Sequence, residues 1–218
     1  MKHTLLALSA ACALTGCAGV KVVHTDVATG ATKPDAIYIR SYIAEDAKFK
    51  GNHGHIGERP IRRSLAPAEY SKALKEELEL MAPAMVLAEG ETPTTGWLVE
   101  SDLEYVHAGS PTLRAVPLVG TLGGAGRSTV KIHVRVSDVN GRHVSNYKDL
   151  STGGSGRVLY EFDLAGGSRM TGRFGSVYAP GLGYAPTFDY KNAAERVYYA
   201  LSVDSHKYGR RDGLTLRY

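Results

Sequence analysis

Cysteine and tryptophan are scarce in this 218-residue chain, which has two cysteines and one tryptophan. Both cysteines, Cys12 and Cys17, lie near the N-terminus, so the rest of the chain forms no disulfide and must depend on a hydrophobic core. A long apolar run is also missing, because LLALSAACA (residues 5–13) is much shorter than the roughly 20 residues of a membrane-spanning helix. The formal charge is only +4, and the basic residues are dispersed. A nucleic-acid partner is therefore not expected.

The N-terminus has the pattern of a secretory signal peptide. A short cationic start, MKHT, precedes the apolar run, and small residues follow it. Ala11-Cys12-Ala13 fits ordinary signal peptidase, whereas Leu14-Thr15-Gly16-Cys17 resembles the lipobox of bacterial lipoproteins at all four positions. We favour the lipobox over that cleavage and over a buried N-terminal helix. It predicts cleavage between Gly16 and Cys17 and a lipid on the Cys17 thiol.

The residue after the lipobox bears on the destination of the chain. Lipoproteins with an aspartate at this position are typically retained at the inner membrane, and here the residue is Ala18. By resemblance, the protein is expected at the outer membrane, facing the periplasm. Two or three acyl chains give stable attachment where one does not. The membrane is therefore the first expected partner, through covalent lipid on Cys17.

Local composition divides the chain into consecutive parts. Residues 18–34 are mostly small and polar, which suits a tether. Glycine and tyrosine are frequent after residue 150, which predicts an irregular segment in which RVLYEFDLAGG suggests at most a strand or hairpin. The expected parts are a signal peptide (1–16), a lipidated N-terminus and tether (17–34), a periplasmic domain (35–208) that contains the irregular segment (151–186), and a C-terminal tail (209–218).

Hydrophobic periodicity predicts the elements of that domain. Apolar residues at helical spacing predict one helix that begins near Pro67 and another from about Asp189. Alternating segments predict strands, with a hairpin signal at Asn140-Gly141 that leads into a further strand over 142–150. The expected fold is a single two-layer α/β domain, with a mixed or mainly antiparallel sheet and two main helices on one face. The alternating segments are AIYIRSYI, GWLVESDLEYVHA and STVKIHVRVSD, with AMVLA as a short buried strand.

The glycine-rich stretch PLVGTLGGAGRSTV (residues 117–130) suggests a phosphate-binding loop. A P-loop needs glycine where this chain has Thr121 and lysine where it has Arg127, and it must lead into a helix. Here an alternating strand follows, so no helix N-terminus is available to hold a phosphate. Nucleotide binding is therefore not expected, and no cofactor is predicted.

An acidic row and a basic row stand on two of the predicted strands. If the strands pair antiparallel, Glu100 lies near Arg135 and Glu104 near Lys131 on the outer face of the sheet. Such cross-strand pairs contribute roughly 0.2–1 kcal/mol each. We interpret the rows as an exposed charge ladder, against the alternative of catalytic carboxylates at Glu100, Asp102 and Glu104.

Other candidate sites are weak. His53 and His55 have the spacing of a metal-binding pair, but a specific site needs three or four converging ligands. We interpret them as part of a solvated loop, and no metal is predicted. Basic clusters at Arg59, Arg62 and Arg63, and at residues 207–211, are more typical of surface charge than of contact with anionic headgroups. The nucleophile and metalloprotease motifs are absent, so no catalytic residue is predicted.

With these features in place, the chain resembles a family of uncharacterised bacterial lipoproteins, domain of unknown function 4410. The resemblance is carried by LTGC, AIYIRSYI and GTLGGAGRSTVKIHVRVSDVNGR, with the strand-ending Asp138 and the turn Gly141 of that family. It covers roughly residues 35–150 and the last helix, and it implies a fold and a location but no activity.

The sequence thus predicts a non-enzymatic outer-membrane lipoprotein that acts as a binding or assembly component. A protein partner in the envelope is left open. The alternatives are an envelope hydrolase or a metal-binding module that uses carboxylates or histidines of the exported domain.

Overall fold

The structure is a computed structural model that describes residues 20–27, 33–51, 58–88, 90–110, 126–139, 157–167 and 185–209, without the side chains of 24–27 and 203–209. Its described part contains six strands and two helices. They are, in chain order, β1 (Lys21–Val27), β2 (Ile37–Lys50), α1 (Glu58–Leu78), β3 (Ala84–Val86), β4 (Trp97–His107), β5 (Thr129–Asp138), β6 (Arg157–Gly166) and α2 (Ala185–Gly209).

All six strands form one mixed sheet, in the order β1-β6-β5-β4-β2-β3. Strand β2 is parallel to both of its neighbours, β3 and β4, whereas the other pairs are antiparallel. Helix α1 connects β2 to its parallel neighbour β3, as parallel strands require. The predicted α/β domain with a mixed sheet is therefore confirmed.

Both helices contribute to the core on one face of the sheet. In α1 the buried residues recur every three or four positions, at Ala66, Tyr70, Ala73, Leu74 and Leu78, so they form one stripe. Helix α1 packs on β2 and β3, and helix α2 packs on β5, β6 and β1. Both helices meet alternate residues of the strands, which point to the same face. In the middle of the sheet these are Ile39, Val99, Leu103, Ile132, Val134, Phe162 and Leu164.

A small polar layer lies within this otherwise apolar core. The hydroxyls of Ser71 in α1 and Ser41 in β2 are 2.8 Å apart. The Tyr70 side chain is fully buried, and its hydroxyl lies near Ser101 of β4. Burial raises the pKa of Tyr70, and the nearby Ser101 hydroxyl opposes that rise. The Tyr70 ring also contacts the ring of Tyr190 in α2, with centroids 6.0 Å apart.

The predicted helix starts are both too late. Helix α1 begins at Glu58 rather than near Pro67, and Pro60 is the proline in its first turn. A proline there removes only an N–H that has no partner within the helix, so Pro60 is compatible with the start. Pro67 instead lies inside the helix, where a proline removes one backbone hydrogen bond. The second helix begins at Ala185, before Asp189.

Two predicted irregular segments contain strands. The predicted tether, 17–34, includes β1, which pairs with β6 from Lys21 to Val27. The predicted irregular segment, 151–186, includes β6 itself, which pairs with a strand on each side. The tether prediction was therefore wrong over 21–27, whereas β6 is the strand that RVLYEFDLAGG suggested within the irregular segment. The predicted strand over 142–150 lies outside the described residues.

Candidate functional site

The face of the sheet opposite the helices is polar at its centre. Cross-strand register places four side chains in one row, from β2 to β6: Tyr42, Asp102, His133 and Asp163. The next row in the same order contains charges of alternating sign: Arg40, Glu100, Arg135 and Glu161. We call these two rows the polar face.

His133 connects the two rows on the β6 side. Its Nδ1 lies 2.7 Å from a carboxylate oxygen of Asp163, and its Nε2 lies 3.1 Å from Glu161. The same Glu161 oxygen accepts a hydrogen bond from Arg135 at 2.9 Å. The basic residues His133 and Arg135 of β5 therefore pair with acidic residues of β6. The predicted charge ladder did not include these β6 acids.

Arg40 and Glu100 form the buried part of the polar face. The Arg40 and Glu100 side chains are only 9% and 2% exposed, and their charged groups approach to 3.8 Å. Arg40 also donates a hydrogen bond to the backbone oxygen of Glu91. Burial raises the pKa of the nearby Tyr42, while its hydrogen bond with Arg40 and the charge of Arg40 lower it. Glu100 is therefore part of a buried ion pair and not of an exposed ladder.

One of the two predicted cross-strand pairs is correct. Glu100 is indeed opposite Arg135, but Lys131 is opposite Tyr105 and not Glu104. The reason is an irregularity between Leu103 and Tyr105, which shifts the pairing by one residue. Glu104 is exposed at this irregularity.

An open depression lies beside the irregular part of β4. It has a volume of about 380 Å³ and is lined by Ala44, Asp46, Asp102, Glu104, His133 and Glu161. Four carboxylates and one imidazole in one depression create a negative potential, which attracts cationic groups. Asp102 and Glu104 of the predicted acidic row are thus brought together with His133. Glu100, in contrast, is buried in the next row.

The sequence analysis did not select Asp46, Glu161 or Asp163. Asp46 lies in the stretch of β2 between Ile43 and Lys48, where the pairing with β4 shifts, and no short motif marks such a site. Glu161 and Asp163 were recognisable in principle, because they alternate with buried Tyr160, Phe162 and Leu164.

The remaining sequence predictions fall mostly outside the described residues. Gly16, Cys17, His53 and His55 all lie there, so the lipid and metal predictions stay predictions. Of the glycine-rich loop, the residues from 126 onward are described, and they lead directly into strand β5 as expected. No group of three or more histidine, cysteine, aspartate or glutamate side chains suited to a metal ion occurs within the described ranges. Neither described helix is long and apolar enough to cross a membrane.

The similarity of the chain to known proteins is remote. No protein-family model matches the chain, and no curated protein matches it. Among solved structures, a variant of the PelC dodecamer from Paraburkholderia phytofirmans is similar with a TM-score of 0.36 and 10% identity, over 79% of this chain and 97% of that one. A PDZ domain protein from Parabacteroides distasonis has a TM-score of 0.28 and 13% identity, over 84% of this chain and 39% of that one. At such low scores and identities, these likenesses carry no argument about function.

Proposed function

We propose that the protein is a lipid-anchored lipoprotein of the bacterial envelope, held at the outer membrane with its α/β domain in the periplasm, and that it serves there as a non-catalytic binding or assembly component. The observation that carries the proposal is the lipobox Leu14–Cys17 directly after a short apolar run. The family resemblance to uncharacterised lipoproteins supports the same class.

The position of β1 is compatible with this anchor. The first strand begins at Lys21, only four residues after Cys17. A chain extends by at most ~3.6 Å per residue, so the start of the sheet lies within about 14 Å of the acylated residue. The proposed lipoprotein therefore holds its folded domain close to the membrane surface rather than on a long tether.

Radiolabelled palmitate tests the anchor in cells. The wild-type protein should incorporate label, and Cys17→Ser should incorporate none. Cys12→Ser is the matched control, because Cys12 lies in the segment that is removed, and this variant should label like the wild type. Equal labelling of the wild type and Cys17→Ser would contradict the lipid anchor.

The residue after the lipidated cysteine tests the proposed membrane. In Ala18→Asp the chain carries the residue that typically retains lipoproteins at the inner membrane. Separation of the two membranes by density should then move the protein from the outer-membrane to the inner-membrane fraction. Ala18→Ser should leave it in place. An unchanged distribution of Ala18→Asp would contradict the proposed location.

We propose that the acidic depression is the contact surface of the binding component, for a partner segment of positive charge. A photo-crosslinking side chain at the exposed Glu104 should capture that partner in intact cells. The same group at Lys72, exposed on the middle of α1, should not. Equal capture at both positions would indicate collisions rather than a contact surface.

One observation favours an envelope hydrolase as the second candidate. Asp102, Glu104 and His133 share the depression, and carboxylate and imidazole groups are the usual proton-transfer groups of hydrolases. If this candidate is right, an activity screen on envelope substrates would find turnover in the wild type. Asp102→Ala/Glu104→Ala would abolish that turnover, while the thermal unfolding of the variant stays close to that of the wild type.

The alternative of a metal-binding module is tested by equilibrium dialysis with zinc. The variant His53→Ala/His55→Ala should bind less zinc than the wild type only if that alternative is right.

A further inference from the structure

The end of the sheet at which β1 begins is defined by cross-strand register. Lys21, the first residue of β1, pairs with Ala165, which pairs with Lys131. Lys131 pairs with Tyr105, and Tyr105 pairs with Lys48 near the end of β2. One row therefore joins the start of β1 to the end of β2. We call this end of the sheet the entry end, because the chain enters the sheet there from Cys17.

Helix α1 begins at the same entry end. Its Arg59 donates a hydrogen bond of 3.3 Å to the backbone oxygen of Gly51, directly after β2. The Arg63 guanidinium lies 5.6 Å from the centre of the Phe49 ring. The first two turns of α1, residues 58–65, are therefore held beside the last residues of β2. Four strand spacings separate β2 from β1, so this part of the helix lies roughly 20 Å from the start of β1.

These two turns combine positive charge with exposed apolar side chains. Residues 58–65 contain three arginines, at 59, 62 and 63, and one acid, Glu58. Ile61 and Leu65, four residues apart and thus on one side of the helix, are 59% and 44% exposed. Arginines beside an apolar pair are the composition of helices that lie in the headgroup region of a membrane.

The rest of the entry end adds four lysines, and the nearest acidic side chains, Asp46 and Glu104, belong to the depression beside β4. Lys21, Lys48, Lys50 and Lys131 are all exposed there. Such a surface is complementary to anionic headgroups, and each basic residue close to an anionic membrane strengthens binding about fivefold. Charge, apolar exposure and chain connection thus coincide at one end of the domain.

We propose that the entry end docks on an anionic lipid surface, with Arg59 and Arg63 at the headgroups and with Ile61 and Leu65 inserted between them. This docking rests on the proposed lipid anchor at Cys17, which brings the domain to the membrane. It sets the orientation of the domain, with the strands directed away from the membrane. It also goes beyond the anchor, because it requires affinity for lipid in the absence of acylation.

Vesicle sedimentation tests the docking on the mature chain, residues 17–218, with Cys17→Ser to prevent acylation. Binding to phosphatidylcholine vesicles that contain a third of phosphatidylglycerol should exceed binding to pure phosphatidylcholine by at least tenfold, and should fall as salt is raised. Arg59→Gln/Arg63→Gln should lower the affinity for the anionic vesicles by about thirtyfold, since two arginines are removed. Ile61→Ser/Leu65→Ser should lower it as well, without any change of charge.

The matched control removes two charges elsewhere on the same helix. Lys72→Gln/Lys75→Gln lies about three and a half turns further along α1, and its affinity should stay within threefold of the parent protein. Circular dichroism checks that every variant is folded.

Equal losses for the arginine and lysine pairs, or no preference for anionic vesicles, would overturn the docking. Failure of palmitate labelling would overturn the anchor, whereas labelling without vesicle binding would overturn the docking alone. A protein captured through a crosslinker at Ile61, with no vesicle binding, would assign this surface to a protein partner instead.

Discussion

Two glutamates of one strand are expected to differ greatly in their effect on stability. Glu100 and Glu104 both belong to β4 and to the acidic row that the sequence presents as uniform. The Glu100 side chain is only 2% exposed and lies 3.8 Å from Arg40, whereas Glu104 is exposed. We therefore consider the same substitution, to methionine, at both positions.

The expected cost follows from what each change leaves behind. Glu100→Met leaves the Arg40 guanidinium buried without its carboxylate, and breaking a buried ion pair costs about 3–5 kcal/mol of the free energy of unfolding. Glu104→Met changes an exposed side chain, and such changes usually stay within about 0.5 kcal/mol. For a chain of this size, the Glu100 cost lowers the melting temperature by on the order of 10 °C.

A double-mutant cycle identifies the ion pair as the cause. Arg40→Met/Glu100→Met removes both charges and should be more stable than Glu100→Met, because no uncompensated charge remains. The hydrogen bond from Arg40 to the backbone of Glu91 is also lost, so full recovery is not expected. Urea unfolding followed by circular dichroism measures the wild type, Arg40→Met, Glu100→Met, the double variant and Glu104→Met. A cost for Glu100→Met as small as that for Glu104→Met, or additive costs in the cycle, would refute the reasoning.

Two further predictions concern the core and a turn. Burial raises the pKa of Tyr70, so its hydroxyl ionises more readily in the unfolded chain than in the folded one. The free energy of unfolding should therefore fall as the pH rises above about 10. Urea titrations at several pH values should show a smaller fall for Tyr70→Phe than for the wild type. An unchanged alkaline slope would contradict that role. Gly96 has a φ of 89°, and a Cβ there would lie 2.5 Å from the backbone oxygen of Ala36, whereas Gly90 has a φ of 83° with nothing within 4 Å. Gly90→Ala should lower the free energy of unfolding by about 1 kcal/mol from backbone strain alone. Thermal unfolding should show a clearly larger loss of stability for Gly96→Ala. Equal losses would contradict the close approach of the Gly96 Cβ to the Ala36 oxygen.

The parts of the fold that the sequence predicts are those with local signals. Strand β5 alternates cleanly from Val130 to Val136, and all four of its apolar residues are buried. The stripe of α1 repeats at helical spacing. In each case the pattern depends on one element that packs against one core, so a short window contains the information.

The elements that the sequence missed depend on distant partners. Strand β1 (KVVHTDV) has no regular alternation of apolar and polar residues, and its pairing with β6 defines it. The start of α1 was missed because Pro67 was interpreted as a first helical residue, whereas Pro60 occupies the first turn. The burial of Glu100 was missed because alternation says which residues share a face but not whether that face is covered. Arg40, which pairs with Glu100, is on a different strand, 60 residues earlier.

The pairing of β1 with β6 affects the order in which the domain acquires its structure. Synthesis begins at the N-terminus, so Lys21–Val27 has been made long before Arg157–Gly166, its partner strand. Such a contact between distant parts of a chain raises the contact order and slows folding. Until β6 has been made, the sheet offers β1 no partner strand. This edge of the sheet is therefore completed only after most of the chain has been made.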